Sequence, residues 1–237
     1  MKAPMVALFA AALLAGCVGN NTQSLVIEQN NVPDTSGGQC VAPADVTGNF
    51  MASGRLDVSL IAKAGTADQQ VGYLMFPVVK NNLEASAEGT QITIDPLAFN
   101  IQLKRVDVEV SDAGSGRLLM NSFSVPVYKV IAVGESAGLA VDVMPYQAVA
   151  SLGATTMVMV KLTVIGERDG GDIRSNTMEY SIKICNGCLL VDEGPCADIS
   201  TSGTINECNI AQDETAVCCE HSTLGLICPA VPETTTG

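Results

Sequence analysis

Apolar and polar residues alternate through the middle of the chain. Between residues 48 and 184 every second side chain is apolar in several runs, most clearly at 56–60, 158–164 and 178–184. A period of two with one apolar face is typical of a half-buried strand, and the β-branched residues in these runs favour a pleated surface. The longest helical segment that we expect is a single turn at 85–88. The pattern therefore predicts an all-β fold.

Turn residues divide this region into separate strands. We expect about seven to nine strands, near residues 55–63, 71–79, 90–94, 99–111, 117–127, 128–133, 138–144, 156–166 and 175–184. Asp169-Gly170 suits a two-residue hairpin turn, whereas Pro77 and Pro126 indicate strand edges or breaks. Antiparallel strands over residues 50–184 predict a β-sandwich of the immunoglobulin-like type.

One of these runs changes the parity of its apolar positions. Ile101 and Leu103 are odd-numbered, whereas Val106, Val108 and Val110 are even-numbered. A regular strand would expose one of the two sets to water. We therefore predict a β-bulge at Lys104-Arg105.

The N-terminus has the layout of an export signal. Lys2 precedes an apolar run that is too short to span a bilayer. This run ends in Leu14-Ala15-Gly16-Cys17, which resembles the lipobox of bacterial lipoproteins. The resemblance implies that residues 1–16 form a removed signal peptide and that the thiol of Cys17 is lipidated. Because Val18 rather than an aspartate follows, it also implies anchoring at the outer membrane. An ordinary secretory signal with an incidental cysteine is the alternative.

Residues 17–49 are predicted to form a polar tether behind the lipid. Runs such as Asn20-Asn-Thr-Gln-Ser are polar and rich in turn formers, and only Leu25-Val-Ile offers apolar packing. Such a composition buries too little apolar surface to offset the entropy of ordering.

The charge of the chain limits its partners. It has 12 basic and 25 acidic residues and a formal net charge of −13. Phosphate binding requires basic patches and the sequence shows none, so we expect no nucleic acid as a partner. The expected partners are the membrane, through the lipid anchor, and other envelope or surface proteins. No cofactor is predicted besides the covalent lipid.

Cysteines dominate the end of the chain. Of nine cysteines, eight remain once Cys17 is assigned to lipid. In an oxidising envelope compartment we expect all eight to form disulfides: Cys40, Cys185, Cys188, Cys196, Cys208, Cys218, Cys219 and Cys228. Seven of the eight lie in the tail, and an odd number cannot pair completely within it. We therefore predict a bond from Cys40 into the tail and four bridges in all. About 100 pairings stay open. Residues 185–237 are thus predicted to be a small, loop-rich module stapled by disulfides, because their apolar content is too low for a core.

The body and tail together resemble a group of outer-membrane lipoproteins with cysteine-rich ends. The resemblance rests on the run Tyr180-Ser-Ile-Lys-Ile-Cys-Asn-Gly-Cys-Leu-Leu and on Gln212-Asp213 ahead of Cys218-Cys219. That group is largely uncharacterised, so the resemblance implies architecture and location but no activity.

Redox and metal-binding functions compete with structural disulfides for the tail residues. The C-x-x-C spacing of Cys185 and Cys188 is that of a redox pair or of half a zinc site. A redox pair would begin a helix in a βαβ unit, and a zinc site would need a second matching pair; the pattern offers neither context. We therefore predict no metal site. The acids of the tail could supply calcium ligands, although their spacing matches no calcium loop: Asp192, Glu193, Asp198, Glu207 and Asp213.

The only enzyme-like motif is Gly134-Glu-Ser-Ala-Gly138. It has the G-x-S-x-G form of a hydrolase nucleophile elbow, with Ser136 as the nucleophile and His221 downstream. An elbow requires a strand, a turn and a helix, whereas the residues after Gly138 continue as a strand pattern up to Pro145. We therefore predict that the motif is a turn between two strands and that Ser136 is a turn residue.

These observations favour a non-enzymatic, lipid-anchored protein with a structural or protein-interaction role in the cell envelope. The first alternative is a receptor-like lipoprotein that captures a ligand at the loops of the sandwich. The second is a serine acyl hydrolase that uses Ser136.

Overall fold

The structure is a computed structural model that describes residues 23–34, 40–46, 48–63, 72–83, 99–152, 156–196, 208, 211–223 and 225–227. Most of these residues are in strands, and the all-β prediction is confirmed. The strands are β1 Leu25–Asn30, β2 Ser53–Asp57, β3 Tyr73–Met75, β4 Pro77–Asn81, β5 Ile101–Asp112, β6 Phe123–Ile131, β7 Ser136–Gly138, β8 Val141–Met144, β9 Thr156–Arg168, β10 Gly171–Cys185, β11 Leu190–Pro195, β12 Ala216–His221 and β13 Gly225–Ile227. Two short helices are described, α1 Val58–Lys63 and α2 Tyr146–Ser151.

The largest sheet has five strands in the order β2-β10-β9-β5-β6. Its pairings are antiparallel except for β2, which runs parallel to β10. The alternating residues that predicted these strands face one core. The buried set on β5, β9 and β10 comprises Val106, Val108, Val110, Val158, Val160, Leu162, Val164, Tyr180, Ile182 and Ile184.

The predicted bulge in β5 is confirmed. The register of β5 shifts between Leu103 and Arg105 against both of its neighbours, β6 and β9. Because of this shift, Ile101 and Leu103 are buried on the same side as Val106. The bulge thus resolves the change of parity without exposing either apolar set.

The turn and proline predictions also hold. Asp169 and Gly170 have positive φ values of 53° and 77° and join Arg168 to Gly171 in a two-residue hairpin. Two positive φ values are what a type I′ turn requires. Pro126 lies in β6, the edge strand, where a missing N–H is tolerated, and Pro77 is the first residue of β4.

The strand predicted at 55–63 is wrong in its second half. The chain leaves the extended conformation after Asp57 and forms α1. The buried Asp57 carboxylate accepts hydrogen bonds from Ser59 N at 2.9 Å and Ser59 Oγ at 2.7 Å, which is how a cap starts a helix. Leu56 and Leu60 are both buried, so one apolar pattern serves a strand end and a helix start.

A second sheet has the order β1-β4-β7, and β3 pairs with β8. Leu25 and Ile27 of β1 are buried in the same core as the five-stranded sheet. This corrects the predicted tether, because β1 lies within residues 17–49. Leu25 and Ile27 are buried whereas Val26 between them is only partly so, because pairing with β4 turns alternate side chains of β1 toward the core.

The tail has more strand than predicted. Strands β11, β12 and β13 form a small sheet in which β12 is parallel to β11 and antiparallel to β13. The strand predicted at 90–94 and the helical turn at 85–88 lie outside the described residues. Among the described residues, no helix has the length and apolarity to cross a membrane.

Candidate functional site

The tail contacts the body through the side chains of two consecutive residues, Gln212 and Asp213, and through backbone hydrogen bonds between residues 211–213 and β2. The Gln212 amide donates from Nε2 to Leu74 O at 2.6 Å and accepts at Oε1 from Leu74 N at 2.9 Å. The Gln212 side chain therefore makes the two hydrogen bonds to Leu74 that a neighbouring strand would otherwise make. We call this contact region, formed by Gln212 and Asp213 against Arg55, Tyr73 and Leu74, the body–tail junction.

Asp213 follows in a left-handed conformation, with φ of 63°, which turns its carboxylate toward the body. The hydroxyl of Tyr73 donates to this carboxylate, at 3.0 Å from Oδ1 and 2.8 Å from Oδ2. Arg55 N donates to Oδ1 at 2.7 Å. Because the Tyr73 proton is committed to Asp213, Tyr180 Oη is the donor across the 3.2 Å contact between the two tyrosine hydroxyls.

Burial sets the electrostatics of this chain of hydrogen bonds. Tyr73 is fully buried, and burial together with the adjacent Asp213 charge holds its pKa far above the ordinary value. Burial raises the pKa of Tyr180 to about 12. Burial also raises the pKa of Asp213, and the hydrogen bonds from Arg55 and Tyr73 offset this only in part. Both tyrosines are consequently donors, not bases, at neutral pH.

Gly54 makes room for this arrangement. A Cβ at Gly54 would collide with the hydroxyl and ring of Tyr73. A larger residue at position 54 would therefore displace the Tyr73 hydroxyl from Asp213.

A cavity of about 200 Å³ adjoins the junction. Its lining residues come from the segment after β1, from the approach to β2 and from the tail: Val32, Pro33, Met51, Cys208, Gln212, Asp213 and Glu214. The walls are mainly apolar, with two carboxyl groups among the lining residues. The volume is below that of sites for drug-sized ligands, so the cavity suits a group of a few carbon atoms.

Cys208 also ties this region to the N-terminal segment. Its Cα lies 5.0 Å from that of Cys40, and the two form a disulfide across 168 residues of sequence. This is the type of link into the tail that parity required of Cys40. The other disulfides with described partners are Cys185–Cys188 and Cys196–Cys219, and Cys218 is also disulfide-bonded.

A second cluster of reactive groups surrounds the Cys185–Cys188 loop. The buried Asp57 carboxylate and the two sulfur atoms lie within 4.8 Å of one another. Asp57 accepts hydrogen bonds from Gly187 N and Leu189 N, each at 2.8 Å. Burial raises the pKa of Asp57, but these hydrogen bonds and those from Ser59 outweigh it, so the pKa is lowered and the carboxylate is ionised at neutral pH. The two sulfur atoms are joined in a disulfide, so in this state neither cysteine offers a thiolate ligand to a metal.

The hydrolase motif is divided between a turn and a strand. Gly134 has φ of 74° in the turn after β6, as a turn residue should. Ser136, however, lies in β7, where it pairs with Lys80, and its prediction as a turn residue is wrong. Gly138 serves close packing instead of a turn, because a Cβ there would strike the backbone of residues 42–43.

The segment directly after Ser136 is not helical, since β7 leads into β8 and α2 begins only at Tyr146. Its hydroxyl donates to Glu28 Oε2 at 3.4 Å. His221 ends β12 in the tail sheet and pairs there with Gly225, so the motif and the histidine belong to different sheets. The strand-turn-helix that positions a nucleophile in an elbow is not the geometry at Ser136.

The remaining predicted site residues fall in several places. Cys17, Cys228, Asp198 and Glu207 lie outside the described residues. Of the acids considered for calcium, Asp192 accepts from Gly194 N at 2.9 Å, and Asp213 is turned toward Tyr73. The sequence did not single out Asp57, Tyr73 or Gln212 for a role. The alternation at 56–60 set Asp57 on the polar face of its strand, yet its side chain is buried.

No protein-family profile, curated protein or solved structure matches this chain.

Proposed function

We propose that the protein is a lipid-anchored, non-enzymatic component of the cell envelope, held at the outer membrane, with a structural or protein-interaction role. The observation that carries this proposal is the lipobox-like Leu14-Ala15-Gly16-Cys17. The Cys40–Cys208 bridge supports it, because a covalent path from the N-terminal segment to the tail suits a domain held at its N-terminus.

The proposed architecture is an immunoglobulin-like β-sandwich followed by a disulfide-stapled module. Its support is the common core of the five-stranded sheet and the β1-β4-β7 sheet. The parallel pairing of β2 with β10 is a departure from a purely antiparallel sandwich.

The first test is lipidation of the full chain expressed in a bacterial host. Wild-type protein is expected to incorporate labelled palmitate and to sediment with outer membranes. A Cys17→Ser variant should do neither, and a Cys228→Ser variant serves as a matched cysteine control. Palmitate incorporation that persists in Cys17→Ser would contradict the anchor.

The cavity favours a second candidate, capture of a small ligand or of one side chain of a partner. Apolar walls beside the Asp213 carboxylate suit a short alkyl group with a cationic end. Butylammonium should perturb the NMR methyl signal of Met51, whereas butanol should do so less. An Asp213→Asn variant should lose this difference, and an equal response to both probes would exclude charge recognition.

The hydrolase alternative has a direct test as well. Because Ser136 lies on a strand and not on an elbow, Ser136→Ala should leave hydrolysis of short p-nitrophenyl esters at the background of the wild-type preparation. A loss of turnover in this variant would restore the hydrolase hypothesis.

A further inference from the structure

The loop that joins Cys185 to Cys188 places one sulfur at the surface and one below it. Cys188 is exposed, whereas Cys185 is only 6% exposed and its Sγ lies 3.5 Å from Leu56 O. Asn186 and Gly187 between them are also exposed. Of the two residues, Cys188 is therefore the one that an incoming thiolate can approach.

The Cys185–Cys188 bridge contributes less to the stability of the fold than the long bridge does. It joins residues three apart in sequence, whereas Cys40–Cys208 joins residues 168 apart. The entropy that a disulfide removes from the unfolded chain grows with the length of the closed loop, so the short bridge gives the smaller stabilisation.

The shape of the loop is also held without the sulfur–sulfur bond. Asp57 anchors it through Gly187 N and Leu189 N, and Leu189 is fully buried. After reduction, the two thiols would therefore stay close to each other. A pair that is preorganised in this way can close again, which a structural disulfide has no need to do.

We propose that Cys185 and Cys188 form a thiol–disulfide exchange site, with Cys188 as the attacked sulfur and a protein dithiol as the reductant. A thiolate of the dithiol attacks Cys188 Sγ, the bond to Cys185 breaks, and Cys185 Sγ leaves with the electron pair and takes a proton from water. The second thiolate of the reductant then attacks the reductant's first sulfur, which is bonded to Cys188 Sγ in the mixed disulfide. That bond breaks, and Cys188 Sγ leaves with the electron pair and is protonated. Two electrons and two protons have passed to the loop, and the reductant has become a disulfide.

Asp57 acts here as a positioning residue that also slows the exchange. Its negative charge, within 4.8 Å of both sulfurs, disfavours a thiolate on either of them. The effect on the exchange rate acts through Cys185, the leaving group. A thiolate that is harder to form is a poorer leaving group, so the exchange is slower. The site is thus suited to be a slow exchanger whose dithiol form is mainly protonated at neutral pH.

The test is reduction of the folded full chain by dithiothreitol, followed by alkylation and peptide mapping, with circular dichroism recorded in parallel. Cys185 and Cys188 are expected to be alkylated while Cys40–Cys208 and Cys196–Cys219 remain oxidised and the β-sheet signal is intact. Reduction of Cys185–Cys188 only together with the other bridges, or only with loss of the sheet signal, would overturn the proposal.

The role of Asp57 has its own readout. An Asp57→Asn variant should be reduced at least threefold faster than wild type, whereas Ser59→Ala, which keeps the charge and removes one hydrogen bond, should stay within twofold. The pH dependence of Cys188 alkylation in Cys185→Ser should give an apparent pKa above that of a free cysteine, about 8.5. If Asp57→Asn does not fold, this second measurement decides alone, and an apparent pKa at or below the free value contradicts the role.

Discussion

The five-stranded sheet and the body–tail junction are held together by different chemistry. In the sheet, alternating Val, Leu and Ile side chains on β5, β9 and β10 pack into one core. At the junction, the Gln212 amide and the Asp213 carboxylate connect the tail to β2 and β3, the hydroxyl of Tyr180 on β10 contacts that of Tyr73, and a disulfide lies close by. The first region tolerates many apolar sequences of the right volume, whereas the second depends on particular atoms.

The largest effect should come from the covalent link of the junction. Replacing Cys40 and Cys208 together by serine should lower the free energy of unfolding by about 5 kcal/mol, because the bridge closes a loop of 168 intervening sequence steps. Urea unfolding monitored by circular dichroism measures this loss.

The control is the double replacement of Cys185 and Cys188 by serine. That bridge closes a loop of three sequence steps, so its loss should cost about 2 kcal/mol. Equal losses for the two pairs would show that the long bridge does not constrain the unfolded chain more than the short one.

In the sheet, the next largest effect should follow from a cavity. Leu162 is fully buried at the centre of β9, and Leu162→Ala should cost about 3 kcal/mol in the same measurement. The hydroxyl of Thr163, on the opposite face, lies 3.1 Å from that of Thr177, and Thr163→Ala should cost less than about 1 kcal/mol. A Thr163 loss as large as that of Leu162 would mean that the outer face also packs against something.

The sequence predicted the sheet well for a physical reason. Each buried strand residue is one apolar position in the alternation. Even the bulge between Leu103 and Arg105 was visible, as a change from odd to even apolar positions. The alternation could not show where β2 ends, because Leu56 and Leu60 suit a strand and a helix equally and Asp57 makes the choice.

The junction could not be predicted in the same way. Gln212 and Asn176 are polar, and in a sequence both indicate exposure. In the structure, Asn176 accepts from Ile27 N at 2.7 Å and donates to Ile27 O at 3.1 Å, as Gln212 does with Leu74. An amide side chain offers the same donor and acceptor as a peptide group, so it can continue a ladder that the backbone leaves incomplete. This pairing depends on distant residues, and no local pattern encodes it.

Removing such an amide should therefore lower the free energy of unfolding by more than the removal of an ordinary exposed glutamine. Gln212→Ala leaves the N–H and C=O of Leu74 without their partner and should lower the free energy of unfolding by about 2 kcal/mol. Gln102 is an exposed glutamine on β5, and Gln102→Ala should change it by less than about 0.5 kcal/mol. Similar small losses at both positions would show that water replaces the Gln212 amide at no cost.

The smallest effect, and the one that separates the two carboxylates, is the pH dependence of stability. Burial raises the folded-state pKa of Asp213 above the unfolded value of about 3.9, so its charge destabilises the fold above the folded pKa. This penalty falls as the pH drops through the folded pKa and is absent below the unfolded value. Asp213→Asn, which also suits a positive φ, should thus be relatively more stable than wild type at pH 7, and the gain should shrink toward pH 4.

Asp57 should behave in the opposite sense. Burial opposes its charge, but hydrogen bonds from Leu189, Ser59 and Gly187 lower its folded-state pKa, so it stabilises the fold above the unfolded pKa. That contribution is lost as the pH falls through the lowered folded value. Asp57→Asn should consequently be less stable than wild type at pH 7, and the difference should narrow below about pH 4. Urea unfolding of the two variants at pH 3, 5 and 7 measures both trends. Trends of the same sign would contradict the direction of one of the two pKa shifts.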